Sequence, residues 1–380
     1  MSDTLVESSA ESAFLDLHKK HSQQGALAEL QQTALNRFES LGFPHSKHEM
    51  FTFVNTKGLV ETAFNLPGDF GRVSEDFIAS HIYPGCEHQC LVFVDGVFNG
   101  GLSRIDGVSA SLMPLSEAMS DQQLKDYLSE TAENENDAFA SLSTAFCSEG
   151  LVFKVDDNTQ ISGTVQVLFV STDRDAGPVM HAPRLIWQLG KLSEVKVIEK
   201  FVGTEGGYFI NSVQDWLLAE GAGVSLTQIQ ADPFDSWHFS KTRIHLDRNS
   251  RFYSSNASSG TQLARHHYEV RLKEEGSELR LNGVSVLDGK EQVHNYLRIY
   301  HEAPQCISHQ HFKNIVNGHA RSSFDGTVIV NPGAQSTSSD QLINNLMLSD
   351  DCHANNKPNL MIFADDVKCT HGATTGQIDE

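Results

Sequence analysis

The second half of this 380-residue chain is ruled by a recurrence. From about residue 151, short β-rich runs follow one another with almost no helical periodicity: "TVQVLFVS", "EVKVIEKFVG", "GVSLTQIQ", "WHFSKTRIHL", "ELRLNGVSVL", "NYLRIYH" and "GTVIV". Several share a lead-in, an apolar residue and then a polar corner. "LAEGAGV" ends at Val224, "LDRNSRF" at Phe252, "LKEEGSEL" at Leu279 and "YHEAPQC" at Cys306, in steps of 28, 27 and 27 residues. "KLSEV", ending at Val195, precedes the first by 29. A steady period in this range marks a repeat architecture. A unit of strand, corner and strand without a helix excludes ankyrin, leucine-rich and tetratricopeptide arrays. A β-sandwich also gives regular short strands, but its loop lengths wander, whereas this lead-in stays in phase. The spacing predicts a parallel β-helix, whose ends need caps.

The first 150 residues read differently. Apolar residues at helical spacing run from Phe14 to Leu41, and Gly42 with Pro44 stops the helix. "CLVFVDGVFNGGLS" (90–103) reads as a hairpin turning at Asp-Gly. Residues 115–147 return to helix, with Phe139, Leu142 and Phe146 on one face. The expected organisation is a helical segment (1–60), a mixed linker with hairpin and helix (61–150) and a β-helix core (151–375). The N-terminal helices are a possible cap for the coil. The formal charge of −21 would repel a phosphate backbone, and no basic stripe offsets it, so nucleic acid is not an expected partner. The acidic start "MSDTLVESSAESAF" is no signal peptide, and no run of 18 apolar residues suggests a membrane span. Six sparse cysteines argue for reduced thiols and a cytoplasmic location.

Candidate chemistry concentrates at the end. "LMIF" (360–363) reads as a buried strand bounded by Pro358 and by Asp365-Asp366. If the backbone stays extended beyond it, Cys369 and His371 share one face while Thr370 points away. A thiolate and an imidazole suit zinc or iron. Two ligands do not close such a site, so Asp365, Asp366, a distant residue or a second polypeptide must contribute. The alternative is a half-buried cysteine and a loop histidine. "GCEHQC" (85–90) has no second pair at zinc-finger distance, and Cys90 starts an apolar strand. "CISHQHF" (306–312) puts His309 and His311 on one solvated face, and "RHHYE" (265–269) splits its histidines between faces. "DDCHANN" (350–356) reads as a polar corner and "GTEGGY" (203–208) as a turn. Neither Gly190-Lys191 nor Gly289-Lys290 is followed by Ser or Thr, so no P-loop is present.

"NLMIFADDVKCTHGATTGQID" (359–379) closely resembles the segment typical of the SufD branch of the SufB/SufD family of iron–sulfur cluster assembly proteins. "GFPHSKHEMFTF" (42–53), "LVFVDGVFNGGLS" (91–103) and "DAFASLSTAF" (137–146) resemble other phrases of that family, in the same order. Met50 and the phenylalanine after it stand where the family has tryptophan and tyrosine, a change of packing rather than chemistry. The resemblance implies a right-handed parallel β-helix flanked by helices. It implies a non-ATPase scaffold subunit that pairs with a SufB-like subunit and works with a SufC-like ATPase. A transient iron–sulfur cluster would form at the partner interface, with His371 and then Cys369 as candidate ligands and no nucleotide bound by this chain. Family members continue past the equivalent of Glu380 into a C-terminal helical region that docks SufC. Residues 376–380 would then begin a truncated region, and direct SufC docking stays open. Two rival readings remain: a stand-alone β-helix enzyme (a carbohydrate lyase or zinc hydrolase) with a carboxylate or metal cluster along one face, and a purely structural interaction module.

Overall fold

One corner of the coil takes a left-handed backbone conformation in six successive turns. Leu192, Gly221, Asn249, Gly276, Gln305 and Ser336 all have φ between 54° and 74°, at steps of 29, 28, 27, 29 and 31 residues. Each sits at the same corner, and its backbone N–H donates to the corner of the next turn: Gly221 to Arg248, Asn249 to Glu275, Gly276 to Pro304 and Ser336 to Asp366. That conformation reverses the chain in the fewest residues, and it is the physical content of the repeated lead-in. Glycine adopts it without a Cβ penalty; a side chain costs roughly 1–2 kcal/mol. Gly276→Ala, whose Cβ would also meet Asn249 Oδ1 at 2.3 Å, is therefore expected to destabilise the fold by at least about 1 kcal/mol, read as a lower thermal midpoint.

The computed structural model describes residues 11, 13–20, 25–45, 47–67, 73–172, 177–204 and 207–377. Its strands form two sheets, and successive strands join them alternately, so each turn adds one strand to each. The first sheet runs Gln89–Val94, Val165–Ser171, Glu194–Gly203, Gly223–Gln230, Arg251–Ser258, Glu278–Leu287, Ile307–Val316, Thr337–Met347 and Val367–Gln377. The second runs Gly150–Val155, Arg184–Leu189, Tyr208–Leu218, Trp237–Leu246, Leu263–Leu272, Gln292–His301, Arg321–Val330 and His353–Ile362. All of these neighbours pair in parallel. The result is the expected parallel β-solenoid, of about seven turns. The first solenoid strand, Gln89–Val94, precedes residue 151 and makes the expected hairpin with Val97–Phe98, turning on Asp95 (φ 49°) and Gly96 (φ 84°).

In-register stacking repeats each inward side chain at the strand spacing of ~4.8 Å. Trp187 and Trp216 stack at 4.5 Å and 3°, and Phe169 and Phe201 at 4.4 Å and 4°. The true register corrects one step of the recurrence: Leu279 pairs with Ser308, not with Cys306. Cys306 is instead a buried residue of the corner itself. Within this interior Glu199 is fully buried, held by Gln214 and Gln228 Nε2, each 3.0 Å from Oε2. Burial raises its pKa to about 7, against the smaller opposing pull of the two amides. The folded chain thus keeps a proton that the unfolded chain releases above about 4.5. Stability is highest below that value and falls as pH rises toward about 7. Glu199→Gln is expected to abolish that decline and to stabilise the chain at pH 8 by on the order of 3 kcal/mol, read by denaturant titrations across pH.

The helices lie along the outer face of the second sheet and not over an end of the coil. Ala28–Leu41 stops at Gly42 (φ 65°), whose N–H bonds the Phe38 carbonyl, as expected. Residues 115–147 form three helices, and Asp121 and Asp137 cap Gln122–Asn134 and Ala138–Phe146. Phe139, Leu142 and Phe146 are buried together with Phe209 and Phe239 of the sheet. Beside this apolar contact lies a buried ionic one. Asp137 Oδ2 accepts from Arg265 Nη1 (2.6 Å) and His267 Nδ1 (2.8 Å), and Glu135 holds Lys241 (2.6 Å) and Arg243. Among the described residues, no helix is long and apolar enough to cross a membrane.

Candidate functional site

The strand Val367–Gln377 is the last of the first sheet and leaves one edge without a neighbour. Asp366 occupies the corner before it, accepting from the Ser336 hydroxyl at 2.9 Å. The third residue past each corner points inward. In successive turns that position holds Val195, Val224, Phe252, Leu279, Ser308, Ser339 and Cys369. The next inward position holds Val197, Leu226, Ser254, Leu281, Gln310, Gln341 and His371. Cys369 and His371 therefore share the inner face, as the spacing predicts, and Thr370 lies on the outer face opposite Asp340. Cys369 is half-buried against the interior core, while His371 is exposed, with no strand among the described residues paired on its far side.

Burial raises the Cys369 thiol above its ordinary pKa, although a backbone hydrogen bond at Ser339 pulls the other way. The thiol is thus protonated at neutral pH, and a bound metal would have to displace that proton. Asp365 is exposed at the corner and Asp366 is committed to Ser336. Among the described residues, no group of three or more His, Cys, Asp or Glu side chains is arranged to hold a metal ion.

The other candidates sort as follows. Cys90 is fully buried at the start of its strand, its thiol pushed up to about 12, and His88 is an exposed partner of Asp106 at 3.3 Å. His266 points inward to Ser240 (2.9 Å) and Ser258 (3.0 Å), and His267 outward to Asp137, so that pair does split between faces. His309 and His311 share the outer face, but both grip Asp340, the latter at 2.6 Å. Asp340 was not visible as their partner because it lies about 30 residues away, one turn on. Burial alone would raise the Asp340 pKa, but the hydrogen bonds from His311 and His309 hold it below the ordinary carboxylate value. "GTEGGY" lies partly outside the described residues. "DDCHANN" is a corner only to Cys352, since a strand starts at His353.

The expectation for "LMIF" needs correction. It ends the edge strand His353–Ile362, and Met361, Ile362 and Phe363 are 44%, 40% and 57% exposed. Pro358 lies inside that strand instead of bounding it. Proline is tolerated there because the strand has a neighbour on one side only. An apolar run reads as buried by composition, yet here it lies exposed at the edge of the described sheet. Among the described residues, two strand edges without a neighbour and an apolar rim lie at the end of the coil that holds Cys369 and His371.

Comparison with known proteins gives concordant matches over both parts of the chain. The model of the SUF system FeS cluster assembly SufBD core domain matches residues 169–380, and that of the SufBD protein N-terminal region matches residues 10–167. An iron–sulfur cluster assembly SufBD family protein of Synechocystis is 30% identical over 372 residues, covering 94% of this chain and 81% of the relative. The iron–sulfur cluster assembly protein SufD of Escherichia coli is 26% identical, covering 92% and 80%. The chloroplastic protein ABCI7 of Arabidopsis thaliana is 26% identical, covering 100% and 81%.

Proposed function

This chain belongs to the SufBD family of iron–sulfur cluster assembly proteins, and on that premise we propose that it is a SufD-like scaffold subunit contributing half of a cluster-building site. The observation that carries this reading is the placement of Cys369 and His371. They are the last described members of two inward columns, on a strand that pairs on one side only among the described residues. A SufB-like subunit adds its own edge strand to this end and supplies the remaining ligands. Main-chain pairing gives such a junction affinity, and the exposed rim of Met361, Ile362 and Phe363 gives it apolar area. The iron–sulfur cluster is cargo, built there and passed on. Thiolate and imidazole are suited donors for iron. Nucleotide hydrolysis falls to a separate SufC-like ATPase, and the work takes place in the cytosol.

The test is co-expression with SufB-like and SufC-like partners followed by reconstitution with iron and sulfide. His371→Ala is expected to reduce the iron and sulfide retained by the complex by about tenfold or more, and Cys369→Ala by a smaller factor. Both variants should assemble normally, since neither residue is needed for the fold. Undiminished cluster content in His371→Ala removes that residue from the site. Loss of function in neither single nor double variant would favour the purely structural module.

A further inference from the structure

Two inward columns of the first sheet change character toward the candidate site. In the first inward column aliphatic and aromatic residues (Val195 to Leu279) give way to Ser308, Ser339 and Cys369. In the second, Leu281 gives way to Gln310, Gln341 and His371. Gln310 and Gln341 are 0% and 1% exposed, and neither the amide nitrogen nor the carbonyl oxygen of either has a hydrogen-bond partner among the described residues. Burying a carboxamide unpaired is costly, and leucine at the same position one turn earlier shows that the fold accepts an aliphatic residue.

The same solenoid also shows what a satisfied amide column looks like. Four residues further along the strands, Asn314 Nδ2 donates to Asn345 Oδ1 (2.7 Å), and Asn345 Nδ2 donates to Thr375 Oγ1 (3.2 Å). Gln310 and Gln341 make no such ladder, although they are register partners in adjacent strands. Gly326 on the opposite sheet leaves room for them, because a Cβ there would lie 3.0 Å from Gln341 Nε2. Gln341 is the register partner of His371, so the two residues lie one strand spacing, ~4.8 Å, apart along the backbone and on the same face.

We propose that Gln341 is the positioning residue of the site: its carboxamide oxygen takes one ring N–H of His371 and so leaves the other ring nitrogen aimed at the metal. Metal-bound histidines characteristically donate their second N–H to such an acceptor, which fixes the tautomer and the ring plane. This assignment rests on the reading of His371 as a ligand given above.

Cobalt(II) serves as the probe, titrated into the complex with the SufB-like partner and followed by its ligand-field absorption. Thermal melting of each variant is measured alongside. Gln341→Met is expected to weaken cobalt binding about tenfold while leaving the melting temperature unchanged or higher, because an unpaired buried amide is removed. Gln341→Glu, which keeps an acceptor, is expected to restore cobalt affinity. Gln341→Met that binds cobalt like the wild type, while His371→Ala does not, overturns the role of Gln341 alone and leaves the site standing. Equal binding by Gln341→Met, His371→Ala and Cys369→Ala overturns the site and this assignment with it. A lower melting temperature in Gln341→Met with unchanged cobalt affinity shows a merely structural residue.

Discussion

Asp137→Ala is expected to destabilise the chain by about 3–5 kcal/mol, among the largest losses available from one side chain in this fold. Asp137 is fully buried and carries three duties. Its Oδ2 faces Arg265 and His267, and its Oδ1 caps the helix Ala138–Phe146 by accepting from the Phe139 N–H at 3.0 Å. Burial would raise its pKa, but the Arg265 charge and the His267 hydrogen bond outweigh that and hold it well below the ordinary 3.8. Burial lowers the His267 pKa to about 4, so at neutral pH His267 donates as a neutral ring and the opposing charge comes from Arg265, with a smaller share from Lys241. Alanine leaves the Arg265 guanidinium buried without its counter-ion, stacked on the Phe51 ring at 4.2 Å and the Tyr296 ring at 5.2 Å. Asp137→Asn keeps the cap and an acceptor but not the charge, so it should lose less. Because the folded pKa is depressed, this stabilisation is present above about 3.8 and is lost as pH falls through the folded value. Urea titrations of the three proteins at pH 7 give the order directly.

The second large effect concerns association and not folding. Phe363→Asp is expected to weaken binding to the SufB-like partner by roughly 30-fold or more, equivalent to about 2 kcal/mol. Phe363 follows the edge strand His353–Ile362, its N–H donates to the Val330 carbonyl at 2.9 Å, and it is 57% exposed. An aspartate there keeps the main-chain bond and stays hydrated in the free chain, so chain stability should move by no more than about 0.5 kcal/mol. At the junction the same carboxylate would have to be desolvated against an apolar partner surface. Calorimetric titration of the two subunits separates these effects, and unaltered affinity would place the partner elsewhere on the chain.

The solenoid was legible because its physics is periodic. Equal spacing of corners leaves a trace in the sequence even where the corner residue varies from Leu192 to Gly221 to Asn249. The hairpin at Asp95-Gly96 and the helix stop at Gly42 were legible for the same reason, since a positive φ selects particular residues. The pairing of Cys369 with His371 followed from strand alternation once the corner at Asp366 was placed. What was illegible depends on neighbours a whole turn away. The exposure of Met361 to Phe363 reflects their place at the edge of the described sheet, which composition does not record. The grip of Asp340 on His309 and His311 crosses strands. The polar columns under Cys369 and His371 became visible only with true register, because taking Cys306 for Ser308 shifts the column by two residues.

The central claim is that His371 of this chain ligates a cluster completed by a second subunit. The most direct measurement is pulsed electron paramagnetic resonance of the reduced, reconstituted complex in which only this chain carries isotopically labelled histidine. A hyperfine coupling from the label, present in the wild type and absent in His371→Ala, is the result expected. A cluster signal that shows no labelled-nitrogen coupling, or one whose coupling survives His371→Ala, contradicts the claim.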